Sequence, residues 1–338
     1  PRRGPALSAP GARPSAAAAE VRLVQPWVQR RSAAEGAVLG RAMGGSQGSA
    51  AGRGGAATDV AAEEPLPDWV EHRHFEELDS TQSYAEREHE SFDQGKLTAV
   101  SADSQTAGRG TRDRQWQASV GKSVLMTFFF RFPAECSTPF VNRNVPNVTK
   151  VLAVAAVEAL RWAAGCRYPE GNELEFGLKW PNDVVVNGRK IAGILARAVP
   201  SPGGRLDGVI VGVGININTP QLELDKIARP VWPATSLRAS TGDAQDFDVR
   251  AVRRRLIGAF AAELPTFFEG GFPAFRQRVN DLEVLMGTQV RFRVHDNDQV
   301  DGAFDGVDDD GLIVIQLASG ERKSFPSGEI IPRPPPAA

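Results

Sequence analysis

The chain has 338 residues, 41% of them hydrophobic, and a formal net charge of -2. That length allows one large domain plus a small one, each with its own core, and the charge does not imply a nucleic-acid partner. Cys136 and Cys166 are the only cysteines, which excludes a disulfide scaffold or a zinc cluster and fits a reducing cytosol. No apolar run approaches the ~18 residues that span a bilayer, so a cytoplasmic protein without a membrane partner is expected.

The first 58 residues hold eight arginines against two glutamates, and Ala, Gly, Ser and Pro fill most of the rest. Such a stretch cannot bury enough apolar surface to offset its ordering entropy, so residues 1–62 are expected to be a disordered low-complexity tail. An Arg-rich, acid-poor start also resembles a transit peptide. The plainer reading is a dispensable tail, with Met43 suited to a start of translation.

Order is expected from "PLPDWVEHRHFEELDSTQSYAEREHE", where Asp79, Ser80 and Thr81 have the character of a helix start. "LTAVSAD" predicts a short strand and "KSVLMTFFFRF" a strongly apolar one. "NVPNVTKVLAVAAVEALRWAAG" predicts a helix ending at Gly165. "LEFGLKWPNDVVVNGRKIAGILARAV" reads as strand, turn and strand, with Asn187-Gly188 as the hairpin turn. "LDGVIVGVGINI" is a further buried strand. "DVRAVRRRLIGAFAAELPTFFEGG" is a helix capped by Asp248, with glycines past its end. From about residue 282 the style changes to short alternating strands with acidic or glycine turns, which suggests a small antiparallel barrel.

Four segments carry candidate chemistry: "DSTQ" (79–82), "QTAGRGTRDRQW" (105–116), "KWPNDVVVNGRKIAG" (179–193) and "VGVGININ" (211–218). Ser80 and Thr81 offer hydroxyls to a small polar group. Gly108 and Gly110 let backbone N–H groups approach an anion. Arg109, Arg112 and Arg114 supply forked donors for phosphoryl or acyl oxygens. Lys179 and Lys190 flank a hairpin turn, so strand pairing can bring both towards one site. Asn182 and Asp183 suit a metal or the orientation of a ligand. Each piece alone is weak: a Gly-Arg loop is more often a solvated turn. "VGVGININ" lacks the third glycine of a dinucleotide fingerprint, there is neither a P-loop nor a Gly-x-Ser-x-Gly elbow, and His72 and His74 have no metal-ligand spacing around them.

In combination, "QTAGRG…W", "KWPNDV", "GRKIAGIL" and "GVGININ" resemble, in order, the biotin protein ligase family (biotin–[acetyl-CoA-carboxylase] ligase), with matching blocks over about residues 70–335. The resemblance implies an α+β fold: a mixed β-sheet flanked by helices, of the class II synthetase-like type, over residues 65–281, and an SH3-like β-barrel over 282–335. It implies biotin, ATP and Mg²⁺, formation of biotinyl-AMP, and transfer of biotin to a lysine of a biotin carboxyl carrier domain of an acyl-CoA or pyruvate carboxylase. By position, it implies that Ser80, Thr81, Gln82, Gln105, Gly108, Arg109, Gly110, Thr111, Lys190 and Gly193 meet biotin and its activated carboxylate. Arg112, Arg114, Trp116, Lys179, Asn182, Asp183 and Asn216 then fall in the nucleotide region, with Asp183 the candidate Mg²⁺ ligand. Lys190 and Arg109 are the expected catalytic pair, offsetting repulsion as a carboxylate meets a phosphate.

The chain departs from the family pattern at Gln82 (usually Asn), Thr111 (commonly Arg), Asp113 (commonly Gly) and Arg197 (usually Glu). No helix-turn-helix pattern is visible in residues 1–62, so the ligase-only type is expected, as monomer or homodimer and without nucleic acid. The alternatives are a lipoate or octanoate ligase of the same superfamily and a non-catalytic biotin-sensing, DNA-binding protein.

Overall fold

The computed structural model describes residues 65–111, 114–167, 174–201, 203–227, 232–294 and 298–331. The expected tail and any helix-turn-helix fall outside these residues, as do Arg112 and Asp113.

A seven-stranded mixed sheet forms the frame, in the order β1-β2-β3-β7-β6-β5-β4. Its strands are β1 (Val70–Leu78), β2 (Leu97–Gln105), β3 (Ser123–Arg131), β4 (Phe176–Lys179), β5 (Asp183–Val186), β6 (Arg189–Pro200) and β7 (Leu206–Asn216). Only β1 and β2 run parallel; the other neighbours are antiparallel. The apolar run around 122–132 becomes the interior strand β3, buried along almost its whole length, because helices or loops cover both faces of the sheet.

Alternation along β3 separates the two layers. Phe128 and Phe130 pack on Phe260 of the long helix α6 (Val249–Gly270), which lies with α3 (Val148–Arg167) on one face. Phe129 points the other way, to Phe92 and His89, and Thr127 on that side reaches the short helix α1 (Thr81–Glu88). The α1 face holds the site. Helix α3 continues past Gly165 to Arg167, so that glycine does not end it. Arg167 instead closes the helix by donating to the Gln245 and Asp246 carbonyls and lying over the Phe247 ring.

Two short helices, α2 (Thr138–Asn144) before α3 and α7 (Arg276–Leu282) after α6, hold a second, five-stranded antiparallel sheet against the frame. Its strands are β8 (Gln289–Arg293), β9 (Gln299–Val307), β10 (Ile313–Gln316), β11 (Arg322–Phe325) and β12 (Glu329–Ile331), an SH3-like arrangement. Asn147 donates to the Asp310 carbonyl at 2.9 Å, Arg143 pairs with the Asp310 carboxylate, and Asn280 both accepts from and donates to Val307. Trp180 meets Phe292 of β8 edge-on, ring centroids 5.7 Å apart.

The segment between the two sheets is itself pinned. Glu283 bridges to Leu178 of β4, and its carboxylate accepts the Trp180 N–H at 3.0 Å. Burial pushes that carboxyl up to about 8, against the opposing pull of the Trp180 N–H, Lys179 and Lys150. The folded chain therefore keeps a proton there that the unfolded chain gives up near the ordinary carboxylate range. Between about pH 4.5 and 8 the folded state binds more protons, so this group makes stability fall as pH rises. Glu283→Gln is expected to flatten that slope: its melting temperature should gain on the parent's as pH goes from 5 to 8. A difference that stays constant over that range would contradict it.

Candidate active site

The loop "QTAGRGTRDRQW" folds into a tight hairpin. Trp116 N–H donates to the Gly108 carbonyl at 3.0 Å, Gly110 N–H to the Arg114 carbonyl at 2.7 Å, and Arg109 and Gln115 bridge between them. A side chain at Gly108 would run into the Trp116 carbonyl, so glycine is needed for this close approach. Arg114 folds back on the turn, donating to the Thr111 hydroxyl at 3.0 Å and the Thr111 carbonyl at 3.2 Å.

The hairpin lays the Trp116 indole on a bare window in the sheet. Gly193 of β6 and Gly214 of β7 are register partners, and both lack side chains on the side that meets the ring. A Cβ on Gly214 would lie 2.6 Å from Nε1; one on Gly193 would lie 3.1 Å from Cζ3 and 3.2 Å from Lys190 Nζ. Gly214 of "VGVGININ" thus serves an aromatic slab rather than a dinucleotide. The Trp116 Nε1 is buried with no hydrogen-bond partner among the described residues.

Next to this window runs a polar wall. Ser80 caps α1. The Gln105 side-chain amide oxygen, Oε1, accepts from the Thr81 N–H at 2.7 Å and the Thr81 hydroxyl at 3.1 Å, and that hydroxyl also meets Thr127 Oγ1 at 2.9 Å. Gln82 rests its amide on Gly212, two pairing rows beyond the glycine window, since Leu195 pairs with Gly212. Ser80, Thr81 and Gln82 are all buried.

The cations sit at two places. Lys190 has its backbone fixed on both sides, by Pro233 and Thr235, and its ammonium donates to Asp183 Oδ1 at 2.5 Å. Arg109 donates to Glu86 Oε2 at 2.8 Å, a carboxylate that also pairs with Arg197. Arg197 lies two pairing rows past Leu195 and Gly212. From Gly193 to Arg197 is four residues of strand, roughly 13 Å. Both expected catalytic cations line the cavity, the Lys190 ammonium at the Asp183 and Gly193 end and the Arg109 guanidinium at the Glu86 and Arg197 end. There α1 brings a carboxylate to Arg109, a partner invisible in the hairpin's own sequence.

Thr81, Gln105, Arg109, Thr111, Trp116 and Lys190 line one cavity, with Ser80, Gln82, Gly110, Asn182 and Gly193 completing it. Lys179 and Asn216, expected in the nucleotide region, do not line it. Lys179 is buried, its ammonium 5.2 Å over the Trp232 ring, and burial holds it below the usual lysine range. Asn216 donates to the Thr235 carbonyl at 3.0 Å, and Asn182 to the Ile194 carbonyl at 2.6 Å. The two asparagines brace backbone beside the cavity, which Asn182 also lines. Leu125, Thr127, Leu195, Gly212 and Gly214 also line it; the pocket-facing alternation of three strands would have found them only with the sheet order in hand. Among the described residues no group of three or more His, Cys, Asp or Glu converges as a metal site, and no helix is long and apolar enough to cross a membrane.

Fold and site define a class: a helix-flanked mixed sheet carrying a glycine-floored slot under an Arg-Gly hairpin, with an SH3-like appendage. Residues 74–216 match the model of the Biotin/lipoate A/B protein ligase family, and residues 285–333 match the Biotin protein ligase C terminal domain. The chain carries both domains in that order. A bifunctional ligase/repressor BirA of Bacillus subtilis is 29% identical over 228 residues, 68% of this chain and 64% of that protein. A biotin–[acetyl-CoA-carboxylase] ligase of Paracoccus denitrificans is 29% identical over 234 residues, 68% of this chain and 88% of that one. The chain thus spans less than two thirds of the bifunctional relative's length. Among solved structures, a biotin protein ligase from Aquifex aeolicus in complex with biotin and ATP aligns with a TM-score of 0.60 and 27% identity, over 77% of this chain and 97% of that one.

Proposed function

We propose that this chain is an ATP-dependent biotin protein ligase, which joins biotin to AMP and then passes the biotinyl group to a lysine of a biotin carboxyl carrier domain. The observation that carries the reading is the slot itself: a flat apolar window between indole and glycines, bordered by the Thr81–Gln105–Thr127 hydroxyl and amide set, with Lys190 at one end. A fused bicyclic urea with an apolar tail and a terminal carboxylate matches that sequence of surfaces.

In the first step a biotin carboxylate oxygen attacks the α-phosphorus of ATP and pyrophosphate leaves. Lys190, fixed by its backbone and by Asp183, is placed to stabilise the charge that gathers between the two anions. Asp183 would hold a Mg²⁺ ion, one carboxylate plus substrate oxygens being enough for it, and the ion would supply charge neutralisation there. In the second step the carrier lysine amine attacks the acyl carbon, AMP leaves and an amide forms. No covalent enzyme intermediate is needed. The Trp116 indole now rests directly on the Gly193–Gly214 floor, where the flat body of a ligand would lie. The Trp116 loop therefore lifts to admit ligand and closes over the adenylate, keeping water from the mixed anhydride. The proposed carrier belongs to an acyl-CoA or pyruvate carboxylase, and the proposed setting is the cytoplasm.

Calorimetric titration with biotin, lipoate and ATP separates this from the lipoate reading. Biotin binding that tightens with ATP supports it; preference for lipoate, or no binding to a folded protein, overturns it.

Thr111 bears on the second half of the reaction. Arg114 is spent bracing the turn around Thr111 and does not stand in for a forked cation at that position. Thr111→Arg is therefore expected to hold biotinyl-AMP about tenfold longer, the value of one added contact of about 1.4 kcal/mol. The check is adenylate release and stray biotinylation of a bystander protein without carrier; leakage equal to the parent's would refute it.

A further inference from the structure

One carboxylate beside the slot does work that neither the hairpin nor the resemblance assigns. Glu86 lies four residues after Gln82 on α1, hence on the same helix face. Gln82 covers Gly212, and Glu86, one turn on, reaches the row of Arg197. The Glu86 side chain is only 18% exposed. Its Oε1 is buried without a partner among the described residues, so both arginines converge on Oε2, Arg109 at 2.8 Å and Arg197 at 3.1 Å. Arg109 lines the cavity and Glu86 does not; the carboxylate acts through the arginine.

We propose that Glu86 is the positioning residue of Arg109, clamping that side chain as the wall of the slot away from Lys190, with Arg197 as the second cation that shares the clamp. The inference rests on the biotin ligase reading and deepens it. Where the family usually has Glu at the position of Arg197, this chain supplies a carboxylate from α1 on the facing wall, so Arg109 still finds an acid. A clamp of this kind belongs to ligand binding. Arg109 is far along the sheet from the Lys190 end, so its loss costs ground-state affinity, while the chemical step at Lys190 proceeds unchanged.

Unclamped, the long Arg109 side chain regains rotamer freedom that each binding event must remove. Glu86→Gln, which keeps shape and removes charge, is expected to raise the biotin KM about tenfold in pyrophosphate release, with kcat within about twofold of the parent. Adding Arg197→Glu in that background returns a carboxylate to the same row and should recover most of the lost affinity. Melting temperatures of both variants confirm folding. If the parent binds no biotin, the functional reading fails. If the parent binds biotin but Glu86→Gln keeps its KM, or lowers kcat instead, or is not rescued by Arg197→Glu, the clamp is wrong.

Discussion

Lys190→Ala is expected to lower the rate of pyrophosphate release from ATP and biotin by about tenfold to a hundredfold, with the fold intact. The side chain makes a charge-assisted contact to Asp183 at 2.5 Å and leans over Gly193. Such a contact to a developing anion is worth about 1.5–3 kcal/mol, which sets that range of rates. The fold should survive, because the strand position is held by backbone bonds to Pro233 and Thr235 that alanine keeps. The loss should fall on kcat, in contrast to the KM effect at Glu86. A surface lysine beside an Asn-Gly turn would give unchanged pyrophosphate release in the same assay.

Gly214→Ala should be still more damaging to biotin binding. The added methyl would stand 2.6 Å from Trp116 Nε1 and 2.8 Å from Cδ2, so the indole must leave its seat. Overpacking of this kind costs about 1–3 kcal/mol, and here it both unseats the hairpin and occupies the ligand's floor, so a loss of about a hundredfold or more in biotin affinity is expected. Gly193→Ala is its control. There the nearest approaches are 3.1 Å to the ring and 3.2 Å to the mobile Lys190 ammonium, which small shifts relieve, so the loss should be well under that at Gly214. Titration of the two variants with biotin decides it; equal effects would show that the ring does not seat on the Gly214 side of the window.

Much of the frame was legible because local signals agreed with it. Asp79-Ser80-Thr81 announced α1, the Phe-rich run announced a buried strand, and Asn187-Gly188 announced the β5–β6 turn, where Asn187 takes a positive φ of 47°. What the sequence hid depends on which strands meet. Nothing in "EHRHFEEL" says that β1 pairs parallel to β2. Gly212 and Gly214 looked like fragments of a failed fingerprint until β7 was set beside β6, where Gly214 faces Gly193. Glu86 sits in the polar run "TQSYAERE" and reads as a solvated charge; only the packing of α1 across the sheet turns it towards Arg109. Glu283 likewise reads as a surface acid, and is buried because the connecting segment docks along β4. Arg109 and Lys190 were both legible as ligand-type cations from their motifs, but motif membership carries no information about which end of a slot a side chain occupies.

The most direct test of the proposed function is intact-mass spectrometry of a biotin carboxyl carrier domain after incubation with the full chain, biotin, ATP and Mg²⁺. The carrier should gain one biotinyl group on a single lysine, only when ATP is present. A carrier that stays unmodified with biotin while the folded enzyme loads lipoyl or octanoyl groups, or loads nothing, would contradict it.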